Sequence, residues 1–218
     1  METVLNPSLK EMAQAAINQK LILQGVGWDF YERVLEEFAE TNGVHFAYDD
    51  GFLEVEVPLF EHESANGILQ SIVTTICVEK EIDFINAGST TFRIRARAKG
   101  VEPDTCFYIQ NESKIRGKLE IDLETDPAPD LVIEVDVTSP SLNKMPIYAA
   151  LGVSEVWLYK GKKVEFYKLY GEFYQRTPNS TVFPVLSSEK ATEFLQKGLN
   201  ESSSKWFKEV REWINKND

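Results

Sequence analysis

The chain has 218 residues, 43% of them apolar and 11% aromatic, with 35 acidic against 23 basic side chains and a formal net charge of -12. A chain of this size hides roughly 70% of its unfolded surface, so it needs neither metal nor disulfide to fold, and its acidity opposes indiscriminate binding to nucleic-acid phosphates. Cys77 and Cys106 are too few for a disulfide framework and form no CxxC pair. With no apolar run of about 18 residues and no basic head followed by an apolar stretch at METVLNPSLK, the expectation is a cytoplasmic protein with reduced, buried thiols.

Residues 1–24 read as a leader and 25–218 as one domain. A first helix is predicted from Trp28 to Glu40, with Phe30, Val34, Leu35 and Phe38 at helical spacing and Asn42-Gly43 as its stop. Val44–Tyr48 and Phe52–Val57 flank Asp49-Asp50-Gly51, a hairpin signal. In the second arm Leu53, Val55 and Val57 alternate with Glu54 and Glu56. A long helix is predicted from Glu61 to Lys80, with Ile68, Leu69, Ile72, Val73 and Ile76 as its apolar face. Strands follow at 82–86 and 90–98. In the second of these, Arg93, Arg95, Arg97 and Lys99 alternate with Ile94, Ala96 and Ala98, which would place four cations on one strand face.

Thr105–Ile109 and Leu131–Val137 are the next strands, joined by a polar, acidic connection over 110–128. The run LVIEV has the character of a strand buried on both faces of a mixed or parallel sheet. Ser139-Pro140-Ser141 leads into a helix over 142–151, closed by Gly152. Val153–Tyr159 and Val164–Tyr170 form a second hairpin across Lys160-Gly161-Lys162, with a further strand at 173–175. Helices at 188–198 and 203–215 end the chain, the last striped by Trp206, Phe207, Val210 and Trp213.

Buried carboxylates are costly unless paired or bound to metal. Glu134 and Asp136 stand inside an apolar strand at i and i+2, hence on one face, and Asp104 opens another strand after Pro103. Strands that each bring a carboxylate to one place can hold a hard cation such as Mg²⁺ or Mn²⁺, which activates water beside a phosphodiester. Lys144, at the start of the next helix, can position that water or stabilise an anionic transition state. Each residue also has a plainer use. Asp104 can cap a turn, the acids can pair with the arginine stripe, and Lys144 can be solvated. Glu63, beside His62 at the start of the long helix, either complements the helix dipole or reaches the metal through water. His45 and His62 form no zinc-ligand spacing, and there is no phosphate-binding glycine loop or GxSxG elbow.

The stretches VEPDTCFYI, PDLVIEVDVTSPS and IYAALGVSEVWLY, in this order, resemble the Uma-type family of restriction-endonuclease-like proteins, over roughly residues 25–175. The resemblance implies an α/β fold of the PD-(D/E)xK type: a central mixed sheet flanked by helices, here with an N-terminal β-hairpin extension. It makes Asp104 the first acid of the motif. Alignment on PDLVIEV picks Glu134 as the second acid, and alignment on SPS picks Asp136. Asp136 also fills the slot where the motif's lysine would stand, and Lys144, four residues before Tyr148, matches a lysine moved onto the following helix. The implied activity is a Mg²⁺-dependent DNA endonuclease, with Arg93, Arg95, Arg97 and Lys99 contacting the DNA backbone and a homodimer cutting two strands. The missing lysine and the acidic surface favour a different class, a silent nuclease fold serving as a binding or dimerisation module. A metal-dependent hydrolase of small molecules is a third possibility on the same acids.

Overall fold

The computed structural model describes residues 20–39, 41, 43–136 and 142–217. Most of the leader, Asn42 and Ser139-Pro140-Ser141 lie outside the described residues. Among the described residues eleven strands form two sheets. The five-stranded sheet contains β1 (Leu21–Gln24), β2 (His45–Asp49), β3 (Phe52–Glu56), β5 (Phe92–Ile94) and β6 (Lys99–Val101), in the order β1-β3-β2-β6-β5 and wholly antiparallel. The six-stranded sheet contains β4 (Ile85–Gly88), β7 (Thr105–Tyr108), β8 (Leu131–Asp136), β9 (Glu155–Lys160), β10 (Lys163–Tyr170) and β11 (Phe173–Thr177), in the order β11-β10-β9-β8-β7-β4. Its one parallel pair is β8 with β9, and α4 (Met145–Leu151) lies in the crossover between them. The fold is thus mixed α/β, as the sequence indicated. Residues 21–24, assigned to the leader above, are strand β1.

One face of the larger sheet packs on α2 (Phe60–Glu79), α5 (Ser188–Asn200) and α6 (Ser203–Lys216), through Leu69, Ile72, Phe107, Trp157, Phe194 and Trp206 among others. The other face packs on α4 and the smaller sheet, through Cys106, Val132, Ile147, Tyr148, Phe92 and Val101. The outer face of the smaller sheet is covered by α1 (Trp28–Phe38), with Tyr31, Val34, Phe46, Tyr48, Leu53 and Val55 at the contact. A short helix, α3 (Glu112–Ile115), interrupts the 110–128 connection. Cys77 and Cys106 are free and buried. Among the described residues no helix is long and apolar enough to cross a membrane.

The β2–β3 turn follows from its Asp-Gly signal: Asp50 and Gly51 have φ of 43° and 93°, the left-handed pair that a tight hairpin turn demands. The strand period of two then decides what each sheet face carries. Phe46 and Tyr48 face α1, whereas His45 and Ala47 face the larger sheet; across the register, Glu56 stands opposite His45 and Glu54 opposite Ala47. Glu54 and Glu56 are therefore buried between the two sheets.

The arginine stripe is not a strand face. Arg95–Arg97 form a 3₁₀ turn, and Ala98 turns left-handed at φ 48°. Arg95 pairs with Asp29 and Glu32 at 2.5 Å each, Arg97 donates to the Ala150 carbonyl and Lys99 pairs with Asp49. These cations tie the smaller sheet to α1, α4 and its own hairpin. In the last helix, Trp206, Val210 and Ile214 are core residues, while Phe207 is exposed.

Gly100 marks the tightest approach in this layer. A Cβ there would stand 2.8 Å from two ring carbons of Tyr31, which is fully buried. Gly100→Ala is expected to destabilise the protein by about 1–3 kcal/mol through overpacking, read as a lower urea midpoint with unchanged slope; an unchanged midpoint would contradict this packing.

Candidate active site between the two sheets

The register of the larger sheet brings the first acids together. Thr105 pairs with Ile133 in the antiparallel β7–β8 ladder, so Asp104, one residue before β7, comes opposite Glu134. The Val135 amide donates to Asp104 Oδ2 at 2.7 Å and fixes that carboxylate. From α2, Asn66 donates to the Asp104 carbonyl at 3.1 Å and accepts from the Thr105 hydroxyl at 3.0 Å. His62 Nε2 approaches Asp104 Oδ2 to 2.9 Å, and His45 Nδ1 comes within 3.4 Å of Oδ1. Neither approach is aligned as a hydrogen bond, which leaves Asp104 Oδ1 a buried oxygen without a donor.

Glu134 is held from α4. Lys144 Nζ donates to Oε2 at 2.9 Å, and the Tyr148 hydroxyl donates to Oε1. Four residues separate Lys144 from Tyr148, one helical turn, so both reach the same carboxylate. Lys144 Nζ also lies 3.8 Å from Glu56 Oε2. Asp136, two residues beyond Glu134 on the same strand face, takes a different set of partners: Lys160 Nζ at 2.7 Å and Lys20 Nζ at 3.6 Å. Lys20 reaches Glu56 as well, at 3.2 Å, and the Leu142 amide donates to Glu54 at 2.5 Å.

Carboxylates outnumber cations here, and nearly all are dry. Asp104 is 4% exposed, Glu134 7% and Lys144 8%. Burial works against an ionised Asp104, but His45, His62 and Lys144 outweigh it and hold the acid well below the usual carboxylate range. Burial raises Glu134 to about 7; Lys144 opposes the rise and the charge on Asp104 adds to it. Burial also works against a charged Lys144, yet Glu134, Asp104, Glu56 and Glu54 keep its ammonium more basic than usual. Buried oxygens of Glu54, Glu56 and Asp136 share with Asp104 Oδ1 the lack of a hydrogen-bond donor.

Asp104, Glu134 and Lys144 therefore meet at one place, and Asp136 adjoins them. Glu63 does not join this group: its side chain is half exposed and its nearest cation is His62 Nδ1 at 3.7 Å. Arg93, Arg95, Arg97 and Lys99 lie elsewhere, Arg93 along a separate cavity beside α1. Sequence reasoning missed His45, His62, Glu54, Glu56, Tyr148 and Lys20. His62 is a buried neighbour of Asp104, not merely a charge at a helix start. The signal available for His45 and Glu56 was their shared strand parity with Ala47 and Glu54. Among the described residues no three His, Cys, Asp or Glu side chains gather as ligands of one ion.

This architecture, a mixed sheet with acids opposed across a ladder and a lysine at the start of the crossover helix, is of the restriction-endonuclease-like class. The chain belongs to the Uma2 family, described as "Putative restriction endonuclease", which it matches over residues 28–200. Among solved structures it is similar to a protein from Anabaena variabilis titled a "putative nuclease belonging to DUF820". The two are 19% identical with a TM-score of 0.53, over 74% of this chain and 98% of that one, a likeness that establishes the fold. No curated protein matches the chain.

Lys144 offsets several buried carboxylates at once. Lys144→Met is expected to destabilise the fold at pH 8 by about 3–5 kcal/mol, since it strands Glu134 without its cation. A carboxyl raised in the fold from 4.5 to about 7 stabilises less as pH rises through 7. The loss should therefore be smaller at pH 5, where Glu134 takes up a proton, and Glu134→Gln should rescue much of it at pH 8. Urea unfolding of the single and double variants at both pH values checks this; equal stability of Lys144→Met and wild type at pH 8 would contradict it.

Proposed function

We propose that this chain is a metal-dependent phosphodiesterase acting on DNA, with Asp104 and Glu134 holding Mg²⁺ or Mn²⁺ and Lys144 serving the attacking water. The observation that supports it most is the cross-strand opposition of Asp104 and Glu134 with Lys144 on the second acid. The donor set fits a hard cation. It consists of carboxylate oxygens, one of them, Asp104 Oδ1, buried and without a donor, and Mg²⁺ commonly takes one or two carboxylates with water filling the remaining positions. When bound, the ion lowers the pKa of a coordinated water and neutralises charge at phosphorus.

The chain's own groups do the rest. The Val135 amide orients Asp104, and the Tyr148 hydroxyl orients Glu134. The Lys144 ammonium, kept charged by the surrounding acids, stabilises the negative charge that grows on the phosphoryl oxygens or positions the nucleophilic water. His45 and His62 hold Asp104 ionised, the form a cation requires. Asp136 is left to Lys160 and Lys20, so Glu134 is the better candidate for second ligand. A silent binding module is the second reading, and one observation favours it: both oxygens of Glu134 are already engaged, by Lys144 and Tyr148.

The test separates the two. Mn²⁺ should raise the melting temperature of the wild type and support cleavage of plasmid or oligonucleotide DNA. Asp104→Asn should abolish the shift and slow cleavage by about a thousandfold or more, since an ion contributes several kcal/mol at the transition state. No Mn²⁺ shift and no cleavage in the wild type would favour the silent module.

A further inference from the structure

Lys144 stands between two buried carboxylates that hold it unequally. Its Nζ donates to Glu134 Oε2 at 2.9 Å and lies 3.8 Å from Glu56 Oε2. Among the described residues these are the two carboxylates that pair with it. They come from different sheets, Glu134 from β8 of the larger and Glu56 from the end of β3 of the smaller. Glu56 Oε2 is buried and accepts no hydrogen bond, while Oε1 of the same carboxylate faces Lys20 at 3.2 Å. A dry acceptor with free lone pairs is thus set about 1 Å beyond the hydrogen-bond reach of a buried ammonium. Leaving such an oxygen unsatisfied is costly, which calls for a use.

Glu134 supplies the reason. Tyr148 donates to its Oε1 and Lys144 to its Oε2, so a cation that uses this carboxylate competes with one of the two donors. Tyr148 is fully buried and carries its hydroxyl on a rigid ring. Lys144 carries its charge on a flexible four-carbon stem with rotatable donors, and a divalent cation repels it. The lysine is the group that gives way. We infer that Glu56 is a positioning residue for Lys144, receiving its ammonium when a divalent cation takes Glu134 Oε2. The inference rests on the cation reading above and deepens it. Without Glu56 the ammonium either stays on Glu134 and competes with the cation or is buried without a close partner, which is strongly unfavourable. With Glu56 it moves a short way, remains charged and stays beside the attacking water. Glu56 is poorly placed to be a ligand itself, because Lys20 and Lys144 flank its two oxygens. The engagement of both Glu134 oxygens is, on this account, compatible with catalysis.

Calorimetric titration of the full chain with Mn²⁺ tests this as a double-mutant cycle. Glu56→Asp keeps the charge but withdraws the acceptor by a methylene, so Lys144 holds to Glu134 and Mn²⁺ should bind about tenfold more weakly than to the wild type. Lys144→Met removes the competitor, and in that background Glu56→Asp should change the affinity by less than about twofold. An equal loss in both backgrounds makes Glu56 a ligand of the ion and overturns the inference, as does no loss in either. Because Lys144→Met is itself destabilising, a crystal of the wild type grown with Mn²⁺ gives a second reading. Lys144 Nζ should then lie within about 3 Å of Glu56 Oε2. Mn²⁺ bound with Lys144 still on Glu134 Oε2 sinks this inference alone, whereas no Mn²⁺ binding to the wild type sinks the cation reading and this inference with it.

Discussion

Two carboxylates facing each other across a β ladder, shielded from water, are the constraint around which the rest of this fold is arranged. Asp104 and Glu134 oppose each other because β7 and β8 pair antiparallel, and the ladder offers no way to separate them without breaking its register. Like charges so placed cannot both ionise cheaply in a dry site. The chain answers by treating them unequally. Asp104 receives a backbone amide and the approach of two histidines, and stays ionised. Glu134 receives a lysine and a phenol from α4, and is poised near neutrality. Those separate fates are the kind of division of labour that acid chemistry at one site requires.

The two-sheet architecture supplies the partners. The smaller sheet turns one face to α1 with Phe46, Tyr48, Leu53 and Val55, and the other toward the acids with His45, Glu54 and Glu56. Burying Glu54 and Glu56 is tolerable because Lys144, Lys20 and the Leu142 amide meet them. The crossover helix α4 lies between the sheets, with Lys144 at its N-cap and Tyr148 one turn further on, so a parallel β8–β9 connection places a cation where two antiparallel neighbours could not.

Much of this was legible in the amino-acid sequence, and the reasons are local. Leu131–Asp136 announced itself as a central strand, because an apolar run that tolerates acids at i and i+2 has to give them buried partners. The Asp-Gly turn fixed the first hairpin, and the long apolar face fixed α2. The arginine stripe misled because alternation over 93–99 implies a strand only while the backbone stays extended, and Ala98 leaves that region. Glu54 and Glu56 were not legible for a different reason. Their alternation is that of a solvent-facing edge, and nothing local says that a second sheet covers it. His45, His62 and Lys20 lie 59, 42 and 84 residues from Asp104 or nearer in space only through tertiary packing, so no spacing rule could join them to the site.

The proposed cation site lies between Asp104, just before β7, and Glu134 of β8. Anomalous diffraction from a crystal soaked in Mn²⁺ addresses it directly. The account predicts a single strong peak bridging the carboxylates of Asp104 and Glu134, with Lys144 alongside. A peak on Asp136 alone, or none between the two strands, would contradict it.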